Sequence, residues 1–453
     1  FDRGPSESAP VSSDDSWHQV KGGARVDGTV RGKFDLQVEG DVLSGTANQL
    51  WQENSFTPPY STLQPAAQLL QAQDFLVRST EKTAAAETSV QFFTNHSRLG
   101  SGIGVMENES MYDLSFQQHR HVGTRQELVW GLGYRYDSYA TSGSTNVWWN
   151  PANDAIHIAS GFIQDELRLA GDRVRLTAGT KIEHDGYGGW APQPNLRALV
   201  KVSNRNSLWT SYAIADRIPS PNDTALQILI PLGPVAPGVL GVAHVFGTPS
   251  GPEIVHATEA GYRFRPTSNS WIDAAAFYNS YSHVMASDTS DAPNMQGGML
   301  VFPEPLENLL RGKTKGIEFS GVYQPVERLR LRTAYSYIHF SFTAVDAGAH
   351  TVWPDYSLAN LAPAHQAYGS ADLRLVHGLE LNSDVRFVDR LNIGVPAYQQ
   401  IDSSLMWKAL PRLSLSANAE NLLDRKHREF TSSEWIQAAV FGRSIYGKVT
   451  WRF

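Results

Sequence analysis

The chain has 453 residues, more than one compact core usually supports, so it needs either several domains or an architecture that grows without a solid core. Lys+Arg 38 against Asp+Glu 45 gives a net charge of −7, which lacks the basic footprint of a nucleic-acid binder, and the absence of cysteine excludes thiol catalysis, thiolate metal sites and disulfides. With 18% charged residues beside 37 Gly, 12 Trp, 17 Tyr and 19 Phe, the composition favours strands and turns over long solvated helices.

Along the chain, the opening FDRGPSESAP has neither a basic start nor an apolar core, so no targeting segment is visible, and Phe1-Asp2-Arg3 reads as the tail of a strand. A two-residue alternation then restarts many times. Phe34, Leu36, Val38 and Val42 share one face against Asp35, Gln37, Glu39 and Asp41. Val174, Leu176, Ala178 and Ile182 alternate with Arg175, Thr177, Lys181 and Glu183. From Leu226 to Gly247 an apolar run imitates a membrane helix, but Pro231, Pro234 and Pro237 would break it, so it reads as an apolar loop. Leu329, Leu331, Tyr335 and Tyr337 oppose Arg330, Arg332, Ala334 and Ser336. Leu379, Leu381, Val385 and Phe387 oppose Glu380, Asn382, Asp384 and Arg386, and the chain closes with Ile445, Gly447, Val449, Trp451 and Phe453 against Ser444, Tyr446, Lys448, Thr450 and Arg452.

These strands run roughly nine to twelve residues, the length a tilted strand needs to cross a bilayer. Tight connections at 170–173, 324–328, 376–378 and 410–412 take turns with long ones at 45–72, 137–157, 216–252, 282–312, 341–365 and 422–443. Short turns on one side and long loops on the other predict an all-β, transmembrane antiparallel barrel, and aromatics such as Tyr134, Tyr136, Tyr335, Tyr337, Trp407 and Trp451 sit where interfacial girdles belong. The count of long segments is about 19, and since single-chain bacterial barrels close with an even number, an N-terminal part is expected to be missing.

No catalytic pattern is present: there is no HExxH, GxxxxGK[ST] or GxSxG, so no enzyme is predicted. Gly100 to Val105 (GSGIGV) reads as a turn. His119 and His121 alternate on a strand and have chelating spacing, but surface histidines account for them; no metal and no cofactor is assigned. Loop aromatics able to stack on a large organic ligand are Trp51, Tyr60, Trp148, Trp149, Trp353, Tyr356 and Trp435, with loop-to-loop packing as the alternative role of each.

Five stretches in order resemble the TonB-dependent outer-membrane receptors. FIQDELRLAGDRVRLTAGTKIEHDGYGG (Phe162 to Gly189), DRIPSPND (Asp216 to Asp223) and PEIVHATEAGYRFRP (Pro252 to Pro266) with WIDAAAFYNSY (Trp271 to Tyr281) are similar to family segments. So are KTKGIEFSGVYQPVERLRLRTAYSYIH (Lys313 to His339) and the closing AENLLDRKHREF and GRSIYGKVTWRF, where His427 stands in place of the usual Tyr.

The resemblance implies a 22-stranded barrel preceded by a plug with a TonB-contacting box. Residues 1–453 would then be an N-terminally truncated barrel domain that starts after the third strand. It further implies a Gram-negative outer-membrane location and uptake of a scarce nutrient, foremost a ferric siderophore. Haem, cobalamin or a saccharide would be other cargoes, and a passive porin or an adhesin-like barrel is the rival from another class. Partners would be outer-membrane lipid, the TonB–ExbB–ExbD motor through the plug, and the barrel-assembly machinery, which would read Tyr446, Trp451 and Phe453. The inner wall facing the plug would carry Asp35, Glu39, Arg175, Lys181, Glu183, Arg330, Arg332, Asp384 and Arg386.

Overall fold

The computed structural model describes residues 16–345, 362–424, 426–431, 435 and 440–452. In chain order the elements are β1 (Trp17–Val30), β2 (Phe34–Asn54), β3 (Ser61–Lys82), β4 (Ala86–Gly100), β5 (Met106–Val122), β6 (Gln126–Ser142), β7 (Val147–Trp149), β8 (Asn153–Leu169), β9 (Val174–Asp185), β10 (Gly189–Ser203) and β11 (Asn206–Arg217). Then come α1 (Pro221–Thr224), β12 (Leu226–Ala236), β13 (Val239–Gly247), β14 (Glu253–Phe264), β15 (Ser270–Ser287), β16 (Asn294–Gln296), β17 (Met299–Val326) and β18 (Leu329–Ala344). The series ends with β19 (His365–Arg374), β20 (Leu379–Val388), β21 (Tyr398–Leu410), β22 (Leu413–Glu420), β23 (Lys426–Arg428), β24 (Val440–Gly442) and β25 (Ser444–Trp451).

One 23-stranded sheet holds all strands but β23 and β24, which pair with each other. Within it β7, β12, β13 and β16 form an added layer, and the other nineteen strands make a continuous antiparallel wall, each paired with the next wall strand in sequence. Among the described residues β1 pairs only with β2 and β25 only with β22, so the wall carries two free edges.

The predicted faces hold. Val42, Leu176, Ile182, Leu331 and Val385 are exposed on the apolar face, and Ile445, Val449 and Trp451 continue it on β25. In a barrel that face meets lipid and the alternate residues line the lumen. Consequently the wall has no core: every residue of β1 is exposed, and the buried cluster lies at the long-loop end instead.

Two expectations need correction. The connection predicted at 45–72 is mostly strand: β2 and β3 stay in register from Phe34↔Glu81 to Asn54↔Ser61, leaving only residues 55–60 between them. Likewise β15 and β17 extend into 282–312. Once a hairpin has left the membrane its two strands still pair the backbone groups that face each other and water takes the outward ones, so it keeps going until a turn signal such as Pro58-Pro59 stops it. The Leu226–Gly247 segment is also no loop. It folds into the β12–β13 hairpin, with Gly238 at positive φ in the turn, and β13 runs parallel to β17 from Leu240↔Met299 to Gly247↔Leu306. The prolines are tolerated because bulges at Pro231/Gly233 and Pro234/Ala236 fall where the ladder would miss their N–H. No helix among the described residues is long and apolar enough to cross a membrane, as the proline argument required.

A feature of the outer face was not anticipated. His18, His96, His157, His184, His256 and His339 are exposed and His365 half-buried, all on the apolar face and all eight to twelve residues from the short-turn end of their strands. At a rise of ~3.3 Å per residue and a tilt of ~45°, that places them about 20–30 Å above the short turns, at the far border of a ~25 Å apolar band. Tyr134, Tyr212 and Tyr335 hydroxyls lie 2.7–2.8 Å from the Nδ1 atoms of His157, His256 and His365, while His18 and His96 meet Thr46 and Ser110 the same way. The aromatic girdle expected at this level is therefore a Tyr–His girdle.

Candidate functional site at the long-loop end and the inner wall

The site begins with a buried cluster of Val105, Val147, Trp149 and Ala225, against which Ile103, Leu226, Ile228 and Trp435 pack. Sequence dictates it locally. The short β7 pairs with β12 (Leu226↔Trp149, Ile228↔Val147), so two apolar segments far apart in the chain share one edge. Helix α1 holds that edge in place: Ser220 N and Oγ donate to Asp223 Oδ2 at 2.8 and 2.9 Å, and Arg217 binds both Asp223 and Glu253 at 2.8 Å. Both carboxylates keep Arg217 firmly charged, with the Glu253 hydrogen bond the largest influence. The Ser101–Val105 turn closes over the cluster, and Gly102 is obligatory there, since a Cβ would stand 2.3 Å from the Trp51 ring.

The loop aromatics separate into distinct roles. Trp51 belongs to β2 and is 5% exposed; Trp149 is 6% exposed and its Nε1 donates to Asn222 Oδ1 at 2.9 Å. Both are buried by protein, and for Trp149 the neighbours are Val105, Val147 and Ala225 at the edge where β7 meets β12. Trp148 is half-buried and stacks on His244 (6.2 Å, 23°), which also meets Phe246 at 4.9 Å. Burial holds the His244 imidazole below its ordinary pKa, and its Nε2 lies 2.9 Å from Gln227 Oε1. Tyr60 closes the tight turn of 55–60 at positive φ, its N–H donating to Thr57 O at 2.9 Å. Trp435 lines a cavity of about 400 Å³ together with Glu53, Asn54, Phe56, Pro59 and Asn146. Trp353, Tyr356 and Phe453 lie outside the described residues.

On the inner wall the predicted charged residues share one face and are largely paired along it. Gln37 Nε2 donates to Glu39 Oε2 (3.0 Å), with Arg25 3.9 Å from Glu39, and Thr29 Oγ1 donates to Asp35 Oδ1 (3.1 Å). Lys181 is paired with Glu183. Arg332 makes a bidentate pair with Asp372 (2.9 and 3.0 Å), whose cross-strand neighbour is Arg330, and Tyr368 donates to Asp384 Oδ1 (2.6 Å). Arg386 lines a second cavity of about 380 Å³ with Asp273, Glu318 and Gln366. At the short-turn rim Arg175 joins Asp172 (2.6 Å) and Glu166 (3.7 Å). Arg175 and Lys201 together hold the Asp172 carboxyl far below the usual range. Tyr446 faces inward, donating to Glu420 Oε1 at 3.2 Å, while Trp451 faces outward.

His119 and His121 also face the lumen at this rim, 3.7 and 3.6 Å from Glu127, which stands directly across from His121. Arg168 claims the same carboxylate, so the trio belongs to an ion-pair network that includes Glu166.

Sequence reasoning missed the Tyr139–Tyr187–Asp154 triad, in which both hydroxyls reach Asp154 Oδ2 (3.2 and 2.6 Å), and the buried pair of Ser287 and Glu304 (3.2 Å). Nothing in the local pattern marks them, because each joins strands or loops remote in sequence.

A wall of nineteen antiparallel strands with an apolar outer face, a charged inner face and a packed loop cap defines an outer-membrane barrel of the receptor type. The family described as "TonB dependent receptor-like, beta-barrel" matches residues 2–422, and the chain belongs to it. Members are transporters and not enzymes, and the family is one of the outer membrane. Among solved structures, a point mutant of the ferric enterobactin receptor PfeA of Pseudomonas aeruginosa matches all of this chain and 72% of its own, with a TM-score of 0.74 at 14% identity. The siderophore receptor PirA of the same organism matches 99% of this chain and 78% of its own (TM-score 0.67, 14% identity). The FrpB iron transporter of Neisseria meningitidis matches all of this chain and 75% of its own (TM-score 0.72, 11% identity). No curated protein matches the sequence.

Proposed function

We propose that this protein is an outer-membrane TonB-dependent receptor for high-affinity uptake of a ferric siderophore. The observation that carries the reading is the long-loop cap: Trp435 beside a cavity of about 400 Å³, above a lumen lined by exchangeable ion pairs. The likeness in fold to receptors described as binding ferric enterobactin and other siderophores supports the choice of cargo. Residues 1–453 supply the wall and loops, and coupling runs to the TonB–ExbB–ExbD motor through a plug of the kind the family carries. The charged inner face is suited to that task. Surface ion pairs are each worth only about 0–1 kcal/mol, so a plug held by many of them can be moved by exchanging pairs one at a time.

The test is titration of the full-length protein with a panel of ferric siderophores, read by tryptophan fluorescence. Saturable binding with a Kd in the nanomolar to micromolar range is expected for at least one. No binding across catecholate, hydroxamate and carboxylate classes would remove siderophores as cargo.

A further inference from the structure

The anomaly on the outer face is positive charge. Ile317, Phe319 and Tyr323 of β17 are exposed on the lipid side, and the same parity continues to Lys315, Lys313 and Arg311, all exposed, while Gly312, Thr314 and Gly316 between them are buried. None of the three cations has an ion-pair partner among the described residues. Lys315 stands directly across from His339 on β18, and Lys313 across from Ser280 on β15, whose other neighbour is His256 of β14. Tyr337, two residues before His339, stands across from His365 of β19. Five adjacent wall strands thus join their cations and imidazoles into one patch.

Its height decides its meaning. Lys315 lies eleven residues from the end of β17, level with the histidine girdle, and Lys313 and Arg311 lie two and four residues further out. A cation is costly near the bilayer midplane and nearly free of cost near the interface. The patch therefore sits in the headgroup layer on the long-loop side.

Its chemistry is that of a phosphate receptor. Arg and Lys supply fixed charge, and Arg adds a planar fork of donors. When the Tyr212 or Tyr335 hydroxyl donates into Nδ1 of His256 or His365, the ring proton resides on Nε2, which becomes an outward-pointing donor. Fixed cations flanked by oriented N–H donors match clustered anionic oxygens.

We propose that the outer face of β14–β19 is a binding site for a lipid with a phosphate-bearing headgroup in the leaflet on the long-loop side. Arg311, Lys313 and Lys315 hold the phosphate oxygens, and the His256, His339 and His365 rings line the headgroup bed. Acyl chains then lie on the apolar strip of Ile317, Phe319 and Tyr323 below. The site rests on the membrane placement above and is separate from cargo binding.

The test uses the full-length protein in detergent, exchanged into mixed micelles containing phosphatidic acid, with retained lipid read by native mass spectrometry. Diacylglycerol with the same chains serves as the phosphate-free comparison. Retention of phosphatidic acid but not diacylglycerol is expected, and the triple variant R311Q/K313Q/K315Q should lower it about tenfold. Arg205→Gln, at a short turn on the opposite rim, should leave it unchanged. Lys313→Gln alone should give a smaller loss if the triple variant folds poorly. Heat-modifiable electrophoretic migration reports barrel formation separately, so failure of the membrane reading is distinguished from failure of the site. Equal retention by wild type and the variants, equal retention of diacylglycerol, or binding of inorganic phosphate as strong as that of the lipid would each overturn the proposal.

Discussion

At the scale of single residues, position in the cap decides what an aromatic can do. Trp149 is anchored through Asn222 and buried among Val105, Val147 and Ala225, so Trp149→Ala should destabilise the cap by about 3–5 kcal/mol. Hydrogen exchange over 226–247 should rise while barrel migration on gels stays normal. Trp435 packs on the same cluster but is only partly buried, so Trp435→Ala should raise that exchange less than Trp149→Ala does, while the loss of a cavity wall should lower cargo affinity about tenfold or more. Equal effects of the two variants on affinity and exchange would contradict the division of roles. His244 offers a pH readout. Burial lowers its folded pKa, so the unfolded segment binds a proton first on acidification, and stability is lost as pH falls from the ordinary value of about 6.5 toward the folded one. Cap exchange rates should therefore rise below about pH 6.5, and His244→Phe should flatten that dependence.

Elements show which parts of the fold the sequence makes legible. Wall strands announce themselves because a period of two depends only on the two environments of a barrel, lipid and lumen, and not on which strand is the neighbour. Alternation alone puts Arg175, Lys181 and Glu183 on the inner face, and the register agrees. The β12–β13 hairpin is hidden for the opposite reason. Its β13 strand is packed by protein on both sides, so no alternation survives there, and the prolines of β12 mimic a loop. The Tyr–His girdle is equally silent, since seven histidines align only after their strands are set in register. An element-level test follows from Gly316, where a Cβ would stand 2.1 Å from Tyr337 O and 2.5 Å from the Phe277 ring. Gly316→Val should break the β17–β18 ladder and abolish the heat-modifiable form; a normally migrating variant would refute the pairing.

For the whole molecule, length has a different meaning than in a globular protein. Size is set by the number of strands, and the core is confined to the cap, so damage to wall and cap should be separable. Reversing the inner-wall pair Arg332–Asp372 by the double exchange R332D/D372R should retain folding and restore transport lost in R332D alone. Uptake of labelled ferric siderophore by cells reads this directly; equal loss in single and double variants would mean the pair is not what matters there.

The parallel pairing of β13 with β17 carries a mechanical consequence. A hairpin pulled from its tip opens one rung at a time, but a strand lying parallel to its neighbour and drawn along its length loads all eight rungs from Leu240↔Met299 to Gly247↔Leu306 in shear together. Since β17 continues unbroken from those rungs to Val326 at the short-turn rim, cap and wall share a single stiff rod of 28 residues. Force on the cap is thereby passed into the wall as a push or pull along one backbone, and the cap should yield by tilting as a unit before any of its strands peels away.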